Sequence, residues 1–483
     1  MKRPGLSLLL TLSAVALLAG TTYLSYTIPR DATLPLFAVY LLSFLAYLMC
    51  YRLAQTAQQV KLLIGVAVVA RLALLPVLPH LSDDLYRFVW DGRLLYQGYD
   101  PFAYLPSEII AGKGNVEAVG IDSALFQRLN SPDYYTIYPP VNQVVFAWAA
   151  WVSPTSVRGS AIAIRLVIMA AEGLTLWLLM QLLPGGGRFG AADPTTAVRQ
   201  PHWLRTWMSR IKRLSATAPY HPPGRNVLLY ALNPLVIIEL TGNLHFEALM
   251  LSFVLGSVYL LRRQRVVFSG VAMALAVCTK LLPLILLPLY WRRLTARKLL
   301  LFYGVVGVTS VVLFLPLMTA ELVSGMRDSL GLYFQKFEFN ASIYYLIREI
   351  GYYQKGYNII AQAGRWLAIG TLVGILVYSL VERTRNLPAA YGGAWLIFLL
   401  LSTTVHPWYV IPLLAYSLFT PYRYAVLWSG VIFFSYAGYT ATGFSENTVI
   451  TFIEYGAVLV TAGLEVLRRT APPKQQPAKS DRK

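Results

Sequence analysis

Apolar residues fill most of the chain in long blocks separated by short polar or basic interruptions. Stretches such as Leu6 to Leu18, Leu299 to Leu317 and Ala368 to Leu380 supply much or all of the roughly 20 apolar residues that cross a 30 Å hydrocarbon core. Apolar runs with their basic flanks predict crossings near 5–27, 34–52, 61–79, 160–183, 226–241, 248–261 and 266–279. Further crossings are predicted near 281–291, 299–318, 359–381, 389–404, 408–420, 424–440 and 447–467. Several of these are too short for a straight span. They are expected as hairpins or half-helices buried among neighbours, where freed backbone groups still find partners.

An even count of crossings, about fourteen, puts both termini on one side. The basic connections 185–225, 262–265, 292–298 and 382–386 share that side, the cytoplasmic one under the positive-inside rule. Two long loops then face outward. Residues 80–159 carry eight acidic and five basic side chains, and 319–358 is rich in Tyr and Phe. The apolar segment Ile137 to Val152 would export the basic 185–225 loop if it crossed, so it is read as a juxtamembrane or re-entrant helix on the outer side. Met1-Lys2-Arg3 before an apolar run could pass for a signal peptide, but no convincing small-residue cleavage site follows, and a retained first helix is expected. The fold class expected is an all-α polytopic membrane protein of about 12–14 helices, with short juxtamembrane helices in the first outer loop. It would form one transmembrane domain over 1–467 and a disordered basic cytoplasmic tail over 468–483, in a bacterial-type inner (plasma) membrane.

Composition agrees. Of 483 residues, 57% are apolar and only 13% charged, against roughly 25% charged in soluble domains. The net charge of +19 raises the question of nucleic acid. Its placement answers against it, because Arg262, Arg263 and Arg265, then Arg292, Arg293, Arg297 and Lys298, cluster between apolar runs. Cys50 and Cys278 both sit in such runs and read as small buried residues rather than a disulfide or metal pair.

The unusual residues gather in the outer connections. In Ser82-Asp83-Asp84-Leu85-Tyr86-Arg87-Phe88-Val89-Trp90-Asp91-Gly92-Arg93, Ser82 can cap a helix that places Asp83, Arg87 and Asp91 on one face, with Asp84 beside it. A carboxylate at a helix N-terminus stays ionised, which suits a general base that takes a hydroxyl proton. A capped helix with Asp–Arg pairs on a wet face explains the same spacing. Tyr138, in Thr136-Ile137-Tyr138-Pro139-Pro140, reads as an interfacial aromatic or a wall. The tight turn Gly242-Asn243-Leu244-His245-Phe246-Glu247 packs Asn243, His245 and Glu247 together. Lys280, at a hairpin tip, is either a snorkelling lysine or an ammonium for a lipid phosphate. His406-Pro407-Trp408-Tyr409 offers an interface belt or an aromatic wall for a sugar or phosphate. No Walker A loop, Rossmann fingerprint or HExxH motif is present, so an activated substrate would have to arrive through the membrane, as a lipid.

These motifs resemble those of the GT-C glycosyltransferases, in particular the bacterial polyprenol-phosphate-mannose-dependent mannosyltransferases and family 87. The likeness runs through Ser82 to Arg87, Trp90 to Arg93, Gly98-Tyr99-Asp100-Pro101-Phe102, Thr136 to Pro140 and Leu232-Asn233-Pro234. It continues through Gly242-Asn243-Leu244-His245, where the family often reads Gly-Asn-Gly-His, then Lys280 to Pro283, Phe339-Asn340 and His406 to Tyr409. It implies a GT-C-like bundle and a hexosyltransferase that moves a sugar, mannose first, from a polyprenyl-phosphate donor to a lipid or glycan acceptor outside the cytoplasm, in cell-envelope glycan biosynthesis. It further implies inversion, with Asp83 or Asp84 as base, Asp83 being favoured. Arg87, Lys280 and His406 would meet the donor phosphate, and Trp90, Asp91, Tyr138, Asn243, His245, Glu247, Asn340, Trp408 and Tyr409 the substrates. No cofactor is required, although the carboxylates with Glu247 are of the type that holds a divalent cation. The competing expectations are a secondary transporter or flippase for lipid-linked sugars, whose functional charges would sit nearer the midplane, and an assembly subunit with a degenerate site.

Overall fold

The computed structural model describes residues 4–183, 224–325, 331, 337–384, 386–440 and 443–470. It is 74% helical with almost no sheet. The first half runs α1 (Pro4–Thr27), α2 (Thr33–Leu53), α3 (Ala57–Ala73), α4 (Asp84–Tyr96), α5 (Pro140–Val152), α6 (Val157–Leu182), α7 (Pro234–Gly242) and α8 (Glu247–Arg262). The second runs α9 (Val266–Val277), α10 (Ala296–Phe314), α11 (Ile343–Lys355), α12 (Ile360–Val381), α13 (Leu387–Leu401), α14 (Val410–Ser417), α15 (Tyr424–Val431) and α16 (Thr448–Thr470). Among the described residues six helices, α1, α2, α6, α10, α12 and α16, are long and apolar enough to cross a membrane, and the bent pair α7–α8 counts as a seventh if it is one span. The chain is an all-α polytopic membrane protein, as its apolar blocks imply.

Local sequence explains where these helices begin. The Thr56 hydroxyl accepts from the Gln59 amide while the Gln59 side chain accepts from the Thr56 amide, a reciprocal cap that starts α3. Ser156 likewise accepts from the Gly159 amide at 3.1 Å and starts α6. The long helices bury only part of their surface against each other. In α10, Leu300, Val308 and Val312 stand exposed, a surface that water would penalise and lipid does not.

The two ends of the bundle differ. At one, arginines close off helix ends: Arg225 donates to the Tyr51 carbonyl, Arg262 donates to the Leu182 carbonyl, and Arg293 pairs with Glu382. The connection expected over 185–225 lies almost wholly outside the described residues, as does the tail beyond 470. Helix α16 itself continues to Thr470, past the boundary expected at 467.

At the other end, residues 97–139 fold over the bundle with short helices at Pro106–Ile110 and Ser123–Phe126. Helix α5 has 13 residues, about 20 Å of rise, too little to cross. It packs along α4, and Gly92 permits the contact, since a Cβ there would lie 2.3 Å from the Phe146 carbonyl oxygen. Two small β elements stand at the same end, the hairpin Tyr439–Thr440 with Gly443–Phe444 and a parallel bridge between Phe339 and Thr404. The bridge ties the second long loop to the segment entering His406. Cys50 and Cys278 are buried free thiols.

Candidate active site

The turn between α7 and α8 is the most constrained part of this end. Pro234 starts α7 behind the Asn233 cap, and the helix widens to π geometry over Ile237–Gly242 before the chain bends by 111° into α8. π segments are uncommon and often accompany functional sites. The end of the helix leaves carbonyls unpaired, and buried Arg165 satisfies them by donating to Thr241 O at 2.7 Å and Gly242 O at 3.0 Å, with a third bond to Leu75 O. Below it, Arg71 pairs with Glu172 at 2.8 Å, and Glu172 also accepts from the Thr241 hydroxyl. This polar network lies inside the bundle and holds the turn from beneath.

Within the turn, Leu244 adopts φ +65°, the left-handed region where glycine carries no Cβ penalty. That conformation explains why a glycine suits this position. The bend brings Asn243, His245 and Glu247 under the outer loop. Glu239, fully buried, accepts from Asn243 at 3.1 Å and from the Tyr436 hydroxyl at 2.9 Å, and lies 3.4 Å from His245 Nε2. Glu247 is also fully buried. One of its oxygens is paired with the Lys280 ammonium, and Oε2 has no partner among the described residues. Lys280 in turn sits 5.3 Å from the centroid of Tyr409. The indole of Trp408 stacks on His245 at 3.6 Å and on His406 at 4.4 Å. Burial, and then neighbouring His245 and Lys280, pushes the His406 imidazole down to about 3, so it is neutral at physiological pH.

The N-terminus of α4 forms the opposite wall. Helix α4 begins at Asp84, whose amide donates to the Ser82 hydroxyl at 3.3 Å. Asp83 occupies the cap position, but its carboxylate bonds no helix amide. It pairs with Arg30, at 2.7 Å, and so turns toward the connection between α1 and α2. The Asp84 carboxylate accepts from Asn130, and its charge is felt at His245. The two adjacent carboxylates therefore face different sides, Asp83 an open cleft and Asp84 the inner cluster.

Other residues singled out in the sequence are packed away. Arg87 pairs with Asp91 at 2.8 Å, with 3% and 0% of their side chains exposed. Arg87 also donates to the Tyr134 and Ser131 carbonyls, and Asp91 accepts from Thr136 at 2.5 Å and Gln143 at 3.3 Å. The i,i+4 pair, for which a wet helix face was the alternative reading, is buried, and it pins the first loop to α4. Trp90 is buried beside Phe126, and Asn340 donates to buried Glu454. Tyr138 packs edge-on to Phe88 and Phe146. Thus Asp84, His245, Glu247, Lys280, His406, Trp408 and Tyr409 gather in one region, with Asn243 behind it, and Asp83 stands next to it on the open cleft. Arg87, Trp90, Asp91 and Asn340 support it from inside. Sequence reasoning overlooked Arg71, Arg165, Glu172 and Glu239, although ionisable side chains inside apolar blocks were the available signal. Among the described residues, no group of three or more His, Cys, Asp or Glu side chains is placed to hold a metal ion.

Fold and site together define a multi-pass membrane protein with a polar, aromatic-walled site at one end of a helical bundle. Residues 204–295 match the model of the MptA_B family, described as Alpha-(1->6)-mannopyranosyltransferase, N-terminal domain. The matched stretch is a minority of the chain, but it contains Glu239, Asn243, His245, Glu247 and Lys280. It supports a mannosyltransferase of the GT-C type, in agreement with the motif resemblance. No curated protein matches the chain.

Proposed function

We propose that the protein transfers a mannosyl group, with inversion, from a polyprenyl-phosphate donor to a lipid or glycan acceptor on the extracytoplasmic side of a bacterial-type plasma membrane. The observation that carries this reading is the buried Glu247–Lys280 pair with one unpartnered carboxylate oxygen, set at the same end of the bundle as the Asp83–Asp84 carboxylates. Asp83 takes the proton from the acceptor hydroxyl as its oxygen bonds to the anomeric carbon. The bond from that carbon to the phosphate oxygen breaks, and its electron pair leaves on the polyprenyl phosphate. Lys280 meets the developing charge, a preorganised cation where charge appears. His406, being neutral, contributes a hydrogen bond rather than a charge. The free Glu247 oxygen accepts from a sugar hydroxyl. No metal or cofactor is required by this scheme. The arginine-closed end faces the cytoplasm under the positive-inside rule, which puts both termini there.

The test supplies purified protein with radiolabelled polyprenyl-phosphate mannose, glucose and arabinose together with a membrane extract. Transfer is expected from the mannose donor and is lost in Asp83→Asn. Lys280→Gln combined with Glu247→Gln, which leaves no buried charge unpaired, should slow transfer by about 100-fold or more. Undiminished transfer by Asp83→Asn and Asp84→Asn, singly and together, sinks the base assignment. Movement of lipid-linked sugar across liposomes without transfer favours a flippase.

A further inference from the structure

Asp83 lines a cleft of about 440 Å³ whose other walls include Arg30, Asp31, His80, Tyr439 and Phe444. The size suits a small-molecule site. The cleft brings together parts of the chain distant in sequence: the turn between α1 and α2, the approach to α4, and the hairpin before α16. Its aromatic wall is built. Tyr439 and Phe444 meet edge to face at 5.1 Å, Phe444 is braced on Phe339 at 5.3 Å, and the Arg30 guanidinium lies 4.8 Å over the Tyr439 ring.

The charges of this lining decide what it can hold. Arg30 is matched by Asp83, and Asp31 adds a second carboxylate. One guanidinium against two carboxylates repels a phosphate. Carboxylates, a guanidinium and an imidazole beside aromatic faces instead suit a neutral polyol, whose hydroxyls take the polar groups and whose C–H faces cover the rings.

The geometry points to this cleft as the seat of the acceptor, taking its uncharged sugar end and presenting a hydroxyl to Asp83, while the phosphate of the anionic donor is held at Lys280. This rests on the transferase reading and adds a division of labour between two subsites.

The test uses the full chain in nanodiscs and titrates two probes by saturation-transfer NMR, a neutral α-1,6-linked mannotriose and mannose 1-phosphate. Phe444→Ala is expected to weaken mannotriose binding about tenfold and to leave mannose 1-phosphate unaffected. Lys280→Gln with Glu247→Gln should do the reverse. Phe444 is 43% exposed, so its truncation spares the fold. Arg30→Lys is a second probe, because it keeps the charge but loses the planar fork and should also weaken mannotriose. Mannotriose binding that neither variant changes, or mannose 1-phosphate binding that Phe444→Ala abolishes, overturns the assignment. Wild-type protein that binds mannotriose with this Phe444 dependence but transfers no sugar would uphold the cleft and sink the transferase reading.

Discussion

Replacing Asp91 by Ala separates two roles that the Asp91 and Arg87 spacing allows, contact with substrate and internal support. In the folded protein the Arg87 guanidinium has 3% of its side chain exposed and the Asp91 carboxylate none. Removing the carboxylate leaves a buried cation without its counter-charge, which costs about 3–5 kcal/mol in comparable sites. Arg87 keeps two carbonyl acceptors, Ser131 O and Tyr134 O, so we expect a loss near the lower end, about 3 kcal/mol. The freed Thr136 hydroxyl and Gln143 amide add to it, about 1 kcal/mol or more each if they stay buried and unpaired. Thermal unfolding in nanodiscs, read alongside mannosyl transfer, measures both quantities. Asp91→Ala should unfold at clearly lower temperature, and its transfer should fall only in proportion to the folded fraction. Arg87→Met combined with Asp91→Leu should recover at least half of the lost stability, since an apolar pair of similar volume replaces the ion pair without an orphan charge. An Asp91→Ala protein that melts like wild type but transfers nothing would refute the supporting role and assign Asp91 to the substrate.

Two further outcomes follow from local geometry. Leu244→Gly removes the left-handed strain, about 1–2 kcal/mol, but empties a fully buried position at about 2–5 kcal/mol. We therefore expect a net loss of roughly 0–4 kcal/mol, centred on about 2 kcal/mol, and a raised melting temperature would show that strain outweighs packing. His406 has its proton affinity depressed to about 3 in the fold, against about 6.5 in the unfolded chain. The unfolded state binds more protons between those values, so this contribution is complete above pH about 6.5 and is lost as pH falls toward 3. His406→Gln should flatten the decline in melting temperature between about pH 6.5 and pH 4, and an unchanged slope would place the titration elsewhere.

Much of the scaffold was legible because crossing a membrane is a local, additive property. The blocks near 5–27, 160–183 and 359–381 became α1, α6 and α12 within a few residues. The too-short blocks near 226–241 and 248–261 became the bent pair α7–α8. The region of the site was legible for a similar reason, since polar residues in short connections between apolar runs must end up at one face. What each residue does there was less legible. Asp83, Arg87 and Asp91 fall on one helical stripe, but Asp83 pairs with Arg30, more than fifty positions earlier, and Arg87 with Asp91. No helical periodicity reports a partner from another helix. Glu239 and Arg165 lay inside apolar blocks, where their neighbours along the chain gave no hint of Asn243, Tyr436 or the Thr241 carbonyl.

By itself, then, the sequence determined that the chain is a membrane-embedded helical bundle, that its basic connections gather at one end, and that its unusual polar residues gather at the other. Each of these depends on the transfer energy of short stretches, a sum over neighbours in the chain. Only the tertiary structure decided which of those polar residues face a cavity and which are buried as supports. That choice depends on desolvation and pairing, and a carboxylate such as Asp91 or Asp83 is exposed or hidden according to the side chain that distant parts of the fold bring against it.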